Sequence, residues 1–226
     1  LGCLTRAVKV SVRERRIHTT GIPVSVITDC DVRPYDIDKE VKEKKFDEKI
    51  LESAQAEKEK NEKYTNGSVR GFTSPRWTLE YCIAMSCLSE DFHKSVHYGK
   101  KILNAREYIS LTDKKITEAN QEMEKEVEQW KDLPRWKMAY EIYNLMLDEE
   151  GKSSLKAIVA QCLASVLRWK ISVIPEGLAQ EKMFDLDLYG LKTDEQKKSE
   201  LKSKIEGDQF LSYIVNAIKY AAGEVV

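Results

Sequence analysis

The chain has 226 residues, 42% of them hydrophobic and 33% charged, which suffices for a globular protein with a sizeable core and many exposed helical positions. Its net charge is −1, from 37 Lys and Arg against 38 Asp and Glu, so overall charge gives no argument for nucleic-acid binding and leaves a local basic patch open. No run of about 18 apolar residues is present, so we expect no membrane span. The five cysteines are odd in number and follow no zinc spacing, which predicts reduced thiols and a cytoplasmic location. Cys82 and Cys87 lie in an apolar segment and are predicted to be core residues.

The first pattern along the chain is an alternation of valine with polar residues within residues 5–18, which predicts a short half-exposed strand. A small basic cluster lies in the same segment, namely Arg13, Arg15, Arg16 and His18. We interpret the cluster as a solvated loop, with phosphate contact as the alternative.

Two carboxylates follow the next apolar run. Residues 22–28 are short and rich in β-branched side chains, which predicts a buried parallel strand, and Asp29 and Asp31 come directly after it. Functional crevices of open α/β sheets lie at the carboxyl ends of strands, and two nearby aspartates suit a hard cation such as Mg²⁺. The alternative is a loop in which Asp29 caps the next turn and Asp31 is solvated.

A helix and a second strand follow. Asp36 or Asp38 can cap a charged, mostly exposed helix that runs to about Lys63, and residues 69–72 predict a strand parallel to the first. Thr78 can then cap another helix with Glu80 in its first turn. Glu80 is therefore expected at the same sheet edge as Asp29 and Asp31, unless its role is only to interact with the helix dipole.

The rest of the chain is predicted to be helical, with Pro175 to Gly207 forming a loop and then a charged helix. The predicted helices span residues 78–88, 90–103, 113–131, 135–147, 153–170 and 210–222. His93 and His97 are spaced i,i+4 and form a candidate metal pair, but no further ligand at suitable spacing supports them. A surface or interface role is therefore the preferred interpretation.

Lys156 lies near the start of an apolar helix, where the helix dipole disfavours a positive charge. A group of carboxylates and a metal-bound phosphate would hold it there. The alternative is that Lys156 points to solvent.

Four segments in this order are similar to a known family: residues 26–34 with Asp29 and Asp31, Thr78-Leu-Glu-Tyr81, residues 156–164, and residues 213–221. From about Ile22 onward the chain resembles the C-terminal Toprim region of the OLD (overcoming lysogenization defect) family nucleases. These are bacterial and phage proteins with an N-terminal ABC-type ATPase. The resemblance implies an α/β fold, with a partial Toprim (Rossmann-like) parallel sheet and a large helical portion.

The resemblance also implies a chemistry, namely two-metal hydrolysis of DNA phosphodiesters with two Mg²⁺ or Mn²⁺ ions. Asp29, Asp31 and Glu80 match metal ligands, and Ser74 is a further candidate ligand or water-positioning residue. Glu80 and Lys156 would be catalytic, with Lys156 stabilising charge on the phosphate. The implied partners are DNA, an ATPase domain in the full-length protein and a second copy in a homodimer.

The chain departs from the family pattern at its start. A Toprim fold opens with a strand that ends in a Gly-Glu motif, and no such strand is found here, so we expect the chain to begin inside the Toprim domain. We therefore predict two parts of the chain. Residues 1–88 form a partial Toprim core, which is a strand-helix-strand unit with an acidic edge. Residues 89–226 form a helical part that completes the Toprim region.

Two other functions fit the same residues. One is a different Mg²⁺-dependent phosphotransfer enzyme, in which Asp29 would be the nucleophile and Asp31 the acid/base. The other is a non-catalytic helical interaction module that docks through the charged helix 38–63.

Overall fold

The computed structural model describes residues 21–34, 43–103, 111–147, 155–184 and 190–226. Over these ranges the chain is mixed α/β and mostly helical. In chain order the elements are β1 (Val24–Thr28), α1 (Glu43–Tyr64), β2 (Val69–Thr73), α2 (Leu79–Met85), α3 (Ser89–Leu103), α4 (Asp113–Trp130), α5 (Arg135–Asn144), α6 (Lys156–Lys170), a 3-10 helix (Gln180–Phe184), α7 (Glu195–Glu206) and α8 (Ser212–Ala221).

The predicted elements are largely confirmed, with helix ends shifted by a few residues. The predicted cap of α1 at Asp36 or Asp38, the valine strand within residues 5–18 and the basic cluster around Arg15 lie outside the described residues. No helix in the described ranges combines the length and apolar character needed to cross a bilayer.

β1 and β2 pair in parallel, with Val26 opposite Gly71, and α1 connects them. The parallel pairing was predicted, but the prediction that β1 is buried is wrong, because Val24 and Ile27 are 46% and 49% exposed. Within the described part of the chain β1 has a paired neighbour on one side only. The sheet therefore covers β1 far less than a multi-stranded parallel sheet would.

Helix α8 returns from the end of the chain to pack on this sheet. The Ser25 hydroxyl donates to the Ala217 carbonyl at 2.6 Å, and the Tyr220 hydroxyl donates to the Ser68 carbonyl at 3.1 Å. Tyr213 and Ala217 share a buried apolar cluster with Phe72 of β2. Contacts therefore cross the division predicted at residue 88, which itself stays a prediction.

The largest apolar core lies among α2, α3, α5 and α6. Trp77, just before α2, is 7% exposed and packs against Tyr81 of α2 and both Tyr140 and Tyr143 of α5. A second core joins α3, α4, α6 and the 3-10 helix around Tyr98. The first core contains residues of both α2 and α6 and so fixes the position of these two helices relative to each other.

The cysteines in the described ranges are all free thiols. Cys82 is buried in α2. Cys87 is exposed, which corrects the prediction that it is a core residue. It follows α2 in the short turn before α3, so its side chain does not lie on the buried face of either helix.

Candidate functional site

Asp29 lies between the carboxyl end of β1 and the amino end of α2. Its Oδ1 accepts a hydrogen bond from the Leu79 backbone N–H at 2.9 Å, while the Thr78 hydroxyl accepts from the Tyr81 N–H at 3.3 Å. The predicted cap at Thr78 is thus confirmed, and Asp29 satisfies a second N–H of the helix start. Burial raises the pKa of Asp29, and the nearby Glu80 and Asp31 raise it further, while the Leu79 hydrogen bond and Lys156 oppose them.

Asp31 adopts a left-handed backbone conformation with φ of 66°, one that aspartate tolerates better than most residues. Its N–H donates to the Trp77 carbonyl at 2.9 Å. Its carboxylate pairs with Lys60 of α1, whose ammonium also donates to the Asp29 carbonyl at 2.6 Å. The loop after β1 is therefore held from α1 on one side and from the start of α2 on the other.

Ser74 forms two hydrogen bonds to the backbone at the end of β1 and in the loop that follows it. Its side chain is fully buried, its Oγ accepts from the Cys30 N–H at 2.8 Å, and its own N–H donates to the Thr28 carbonyl at 2.9 Å. In the structure Ser74 thus positions the backbone between Asp29 and Asp31. Its predicted role as a metal ligand or water-positioning residue stays a prediction.

We expect Ser74→Ala to lower the free energy of unfolding by about 1–3 kcal/mol, because the buried Cys30 N–H would lose its acceptor. Chemical denaturation followed by circular dichroism measures this change. Ser212→Ala is the matched control, since the Ser212 hydroxyl is exposed and donates only to the nearby Gln209 carbonyl. Equal stability of the two variants would contradict the role assigned to Ser74.

Glu80 and Lys156 meet across the gap between α2 and α6. The Lys156 Nζ lies 3.0 Å from Glu80 Oε1, and the two side chains are 38% and 13% exposed. The second carboxylate oxygen, Glu80 Oε2, is buried and has no hydrogen-bond partner. Although burial alone would lower the pKa of Lys156, its hydrogen bond and attraction to Glu80 raise it above the ordinary value.

This contact explains the placement of Lys156 near the start of α6. The helix dipole disfavours a cation there, and no side chain caps α6 at Leu155. Glu80 supplies the compensating negative charge, and the Tyr143 ring lies 5.8 Å from the ammonium. Lys156 is therefore paired with a carboxylate rather than directed only to solvent.

We call Asp29, Asp31 and Glu80 the acidic edge. Asp29 accepts a hydrogen bond from the residue before Glu80, and Glu80 in turn pairs with Lys156. The three carboxylates do not bring one oxygen each within 4.8 Å of one another. The Asp31 side chain is 72% exposed and pairs with Lys60.

A second cluster, which we call the histidine cluster, consists of His93 and His97 of α3 and Glu126 of α4. The two histidines are 2% and 3% exposed, so a surface role for this pair is wrong, while the interface role stays a prediction. Helix α4 covers them, and Glu126 Oε2 lies 2.7 Å from Nε2 of each ring. The i,i+4 spacing had indicated the pair, but Glu126 lies far along the chain and no local pattern connects it to them.

Comparisons of the chain with protein-family models, with curated proteins and with solved structures found no match. The function is therefore argued from the two clusters themselves.

Proposed function

We propose that the acidic edge is the metal-binding centre of a Mg²⁺- or Mn²⁺-dependent nuclease that hydrolyses DNA phosphodiesters, in a domain of the OLD-type Toprim kind. The observation that carries the proposal is the pairing of Lys156 with Glu80 beside Asp29. These residues come from three separate parts of the chain and are the ones that the resemblance assigns to catalysis and metal binding.

The donor atoms at the acidic edge fit a hard divalent ion, because all of them are carboxylate oxygens. Glu80 Oε2, buried and unpartnered, is an oxygen that such an ion would satisfy. Mg²⁺ is commonly held by one or two carboxylates, with water and substrate phosphate completing its shell. Asp29 and Glu80 would supply those carboxylates, and Asp31 would join them by turning away from Lys60.

When bound, ions at this edge would stabilise charge on the attacking and leaving oxygens of the phosphodiester. The chain itself supplies the positive charge of Lys156, held at a defined position by Glu80 and the Tyr143 ring. An ammonium at that position neutralises charge on a phosphate as it reacts. The Leu79 N–H keeps the Asp29 carboxylate oriented at the edge.

Local cations would have to provide the contacts to DNA, since the net charge of the chain is −1. Arg33 lies directly beyond the acidic edge, with its guanidinium 5.7 Å from the centre of the Trp77 ring. Arg33 lies over the Trp77 ring and Lys156 over the Tyr143 ring, and these two rings contact each other. The two cations are therefore suited to phosphate contact beside the acidic edge. The ATPase domain, the homodimer and the cytoplasmic location belong to the same proposal.

The proposal is tested by nicking of supercoiled plasmid in the presence of Mg²⁺ or Mn²⁺, with chelator as the blank. The 226-residue chain and the longer protein implied by the resemblance are assayed side by side. We expect Asp29→Asn to lower metal-dependent nicking by at least about 100-fold, because it removes a charged ligand. Glu200→Gln, an exposed carboxylate of α7, is expected to leave it unchanged.

Absence of metal-dependent nicking by both forms, or full activity of Asp29→Asn, would overturn the nuclease proposal. A covalent phosphate trapped on Asp29 would overturn it in favour of the phosphotransfer enzyme with Asp29 as nucleophile.

A further inference from the structure

The histidine cluster lies between α3 and α4, apart from the acidic edge, and the proposed nuclease makes no use of it. Its two imidazole nitrogens and one carboxylate oxygen all lie within 4.8 Å of one another. Trp130 stacks on His93, with ring centres 5.3 Å apart, and fixes the orientation of that imidazole. Glu126, 22% exposed, gives the cluster access to the surface.

The two ring nitrogens of His97 face two different carboxylates, and only one of them forms a hydrogen bond. Its Nε2 faces Glu126 at 2.7 Å, and its Nδ1 lies 3.4 Å from Glu122 without forming a hydrogen bond. A neutral imidazole has one donor and one acceptor nitrogen, so it can serve only one of two carboxylates. At the other carboxylate, an acceptor would face an acceptor in a nearly buried setting.

A cation bound at Nε2 removes this conflict. The proton of His97 would then reside on Nδ1 and face Glu122, the arrangement in which a carboxylate orients a metal-bound histidine. Lys101 holds Glu122 in place from the other side, at 2.6 Å from Oε1. The surroundings of His97 therefore contain both the ligand atoms and the outer partner of a metal-binding histidine.

We propose that His93, His97 and Glu126 bind a divalent transition-metal ion of the Zn²⁺ class through both Nε2 atoms and Glu126 Oε2, joining α3 to α4. Two imidazoles and one carboxylate are a ligand set found in zinc sites, with water in the fourth position. Bond lengths of about 2.0–2.1 Å place tetrahedral ligand atoms about 3.3 Å apart. The present 2.7 Å separations would thus open by roughly 0.6 Å on binding, which small side-chain rotations accommodate.

The ligand types also select the ion. Lys100 and Lys101 lie near Glu122 and Glu126, so the cluster offers no excess of negative charge that would attract a hard cation by itself. Neutral imidazole nitrogens suit Zn²⁺, Cu²⁺ or Ni²⁺ and suit Mg²⁺ poorly. The histidine cluster and the acidic edge are therefore expected to differ in metal preference.

The test is calorimetric titration of Zn²⁺ into the chelator-treated chain, carried out on a Cys87→Ser background because that exposed thiol could bind Zn²⁺ itself. With Mg²⁺ in excess to occupy the acidic edge, we expect one Zn²⁺ ion per chain, bound at the histidine cluster. Free Zn²⁺ at about 100 times its Kd should raise Tm by about 5–10 °C.

Two variants of similar size to the native residue test the ligands without creating a cavity. Glu126→Gln should weaken Zn²⁺ binding by more than about 100-fold, and Glu122→Gln by about 10- to 100-fold. Glu118→Gln is the matched control on the same helix, because Glu118 is 43% exposed and approaches Lys101 at 3.8 Å but has no contact with either histidine. It should bind Zn²⁺ as the parent does.

Circular dichroism establishes that each variant is folded before titration. Failure of the folded parent to take up Zn²⁺ would overturn the proposal. Native-like Zn²⁺ binding by Glu126→Gln would overturn it as well. Neither result would bear on the nuclease proposal, which is read out by plasmid nicking with Mg²⁺ or Mn²⁺.

Discussion

Replacing Lys156 with methionine is expected to reduce metal-dependent plasmid nicking by about 100- to 1,000-fold, the size of effect seen when one preorganised charge-stabilising group is removed from an active site. Methionine keeps most of the length of the side chain but not the ammonium, which lies 3.0 Å from Glu80 Oε1 and 5.8 Å from the centre of the Tyr143 ring. Initial rates of nicking at saturating Mn²⁺ measure the change. At saturating metal, a loss of rate reports on the phosphate chemistry rather than on ion binding.

Helix α6 offers a matched control at its other end. Lys170 is the last residue of α6 and pairs with Asp91 at 2.7 Å, and that carboxylate is 10% exposed, close to the 13% of Glu80. Lys170→Met thus breaks a comparable ion pair away from the acidic edge. We expect it to preserve nicking, and an equal loss of activity in both variants would show that Lys156 contributes stability rather than catalysis.

The second large effect is expected at Gly71 of β2, where α1 packs directly on the sheet. A Cβ at this position would lie 2.9 Å from the Asn61 carbonyl oxygen and 3.1 Å from Asn61 Cα. Both are backbone atoms of α1, so the strand and the helix would have to separate. We expect Gly71→Ala to lower the free energy of unfolding by about 1–3 kcal/mol and Tm by about 2–12 °C.

Thermal unfolding followed by circular dichroism measures this prediction. Gly190→Ala is its control, since no described atom lies within 4 Å of a Cβ at that position. Gly71→Ala should also lower nicking activity, because displacement of α1 moves Lys60 away from Asp29 and Asp31. A Gly71→Ala protein as stable as the parent would show that α1 does not pack on β2 as described.

The order and kind of the elements followed from local patterns in the sequence. The β-branched run before Asp29 predicted β1, and the hydroxyl of Thr78 predicted the start of α2. These signals depend on residues close together in the chain, where hydrogen-bond caps and side-chain periodicity determine conformation.

Burial was less predictable, because it depends on what covers an element. Apolar composition suggested a buried β1, yet Val24 and Ile27 are about half exposed, since β1 pairs with β2 alone in the described ranges. The opposite error occurred at His93 and His97, which α4 covers. Neither outcome is encoded in the short stretch of sequence concerned.

For the acidic edge, the sequence alone determined which residue types follow β1 and start α2, and from these it predicted Asp29, Asp31 and Glu80 at one edge of the sheet. Only the tertiary structure decided that Lys156 pairs with Glu80 and that Asp31 turns to Lys60. The histidine cluster likewise exists only because α4 packs on α3 and brings Glu126 to the two imidazoles. Such contacts join residues distant in the chain, and the packing of whole helices, rather than any local pattern, sets their geometry.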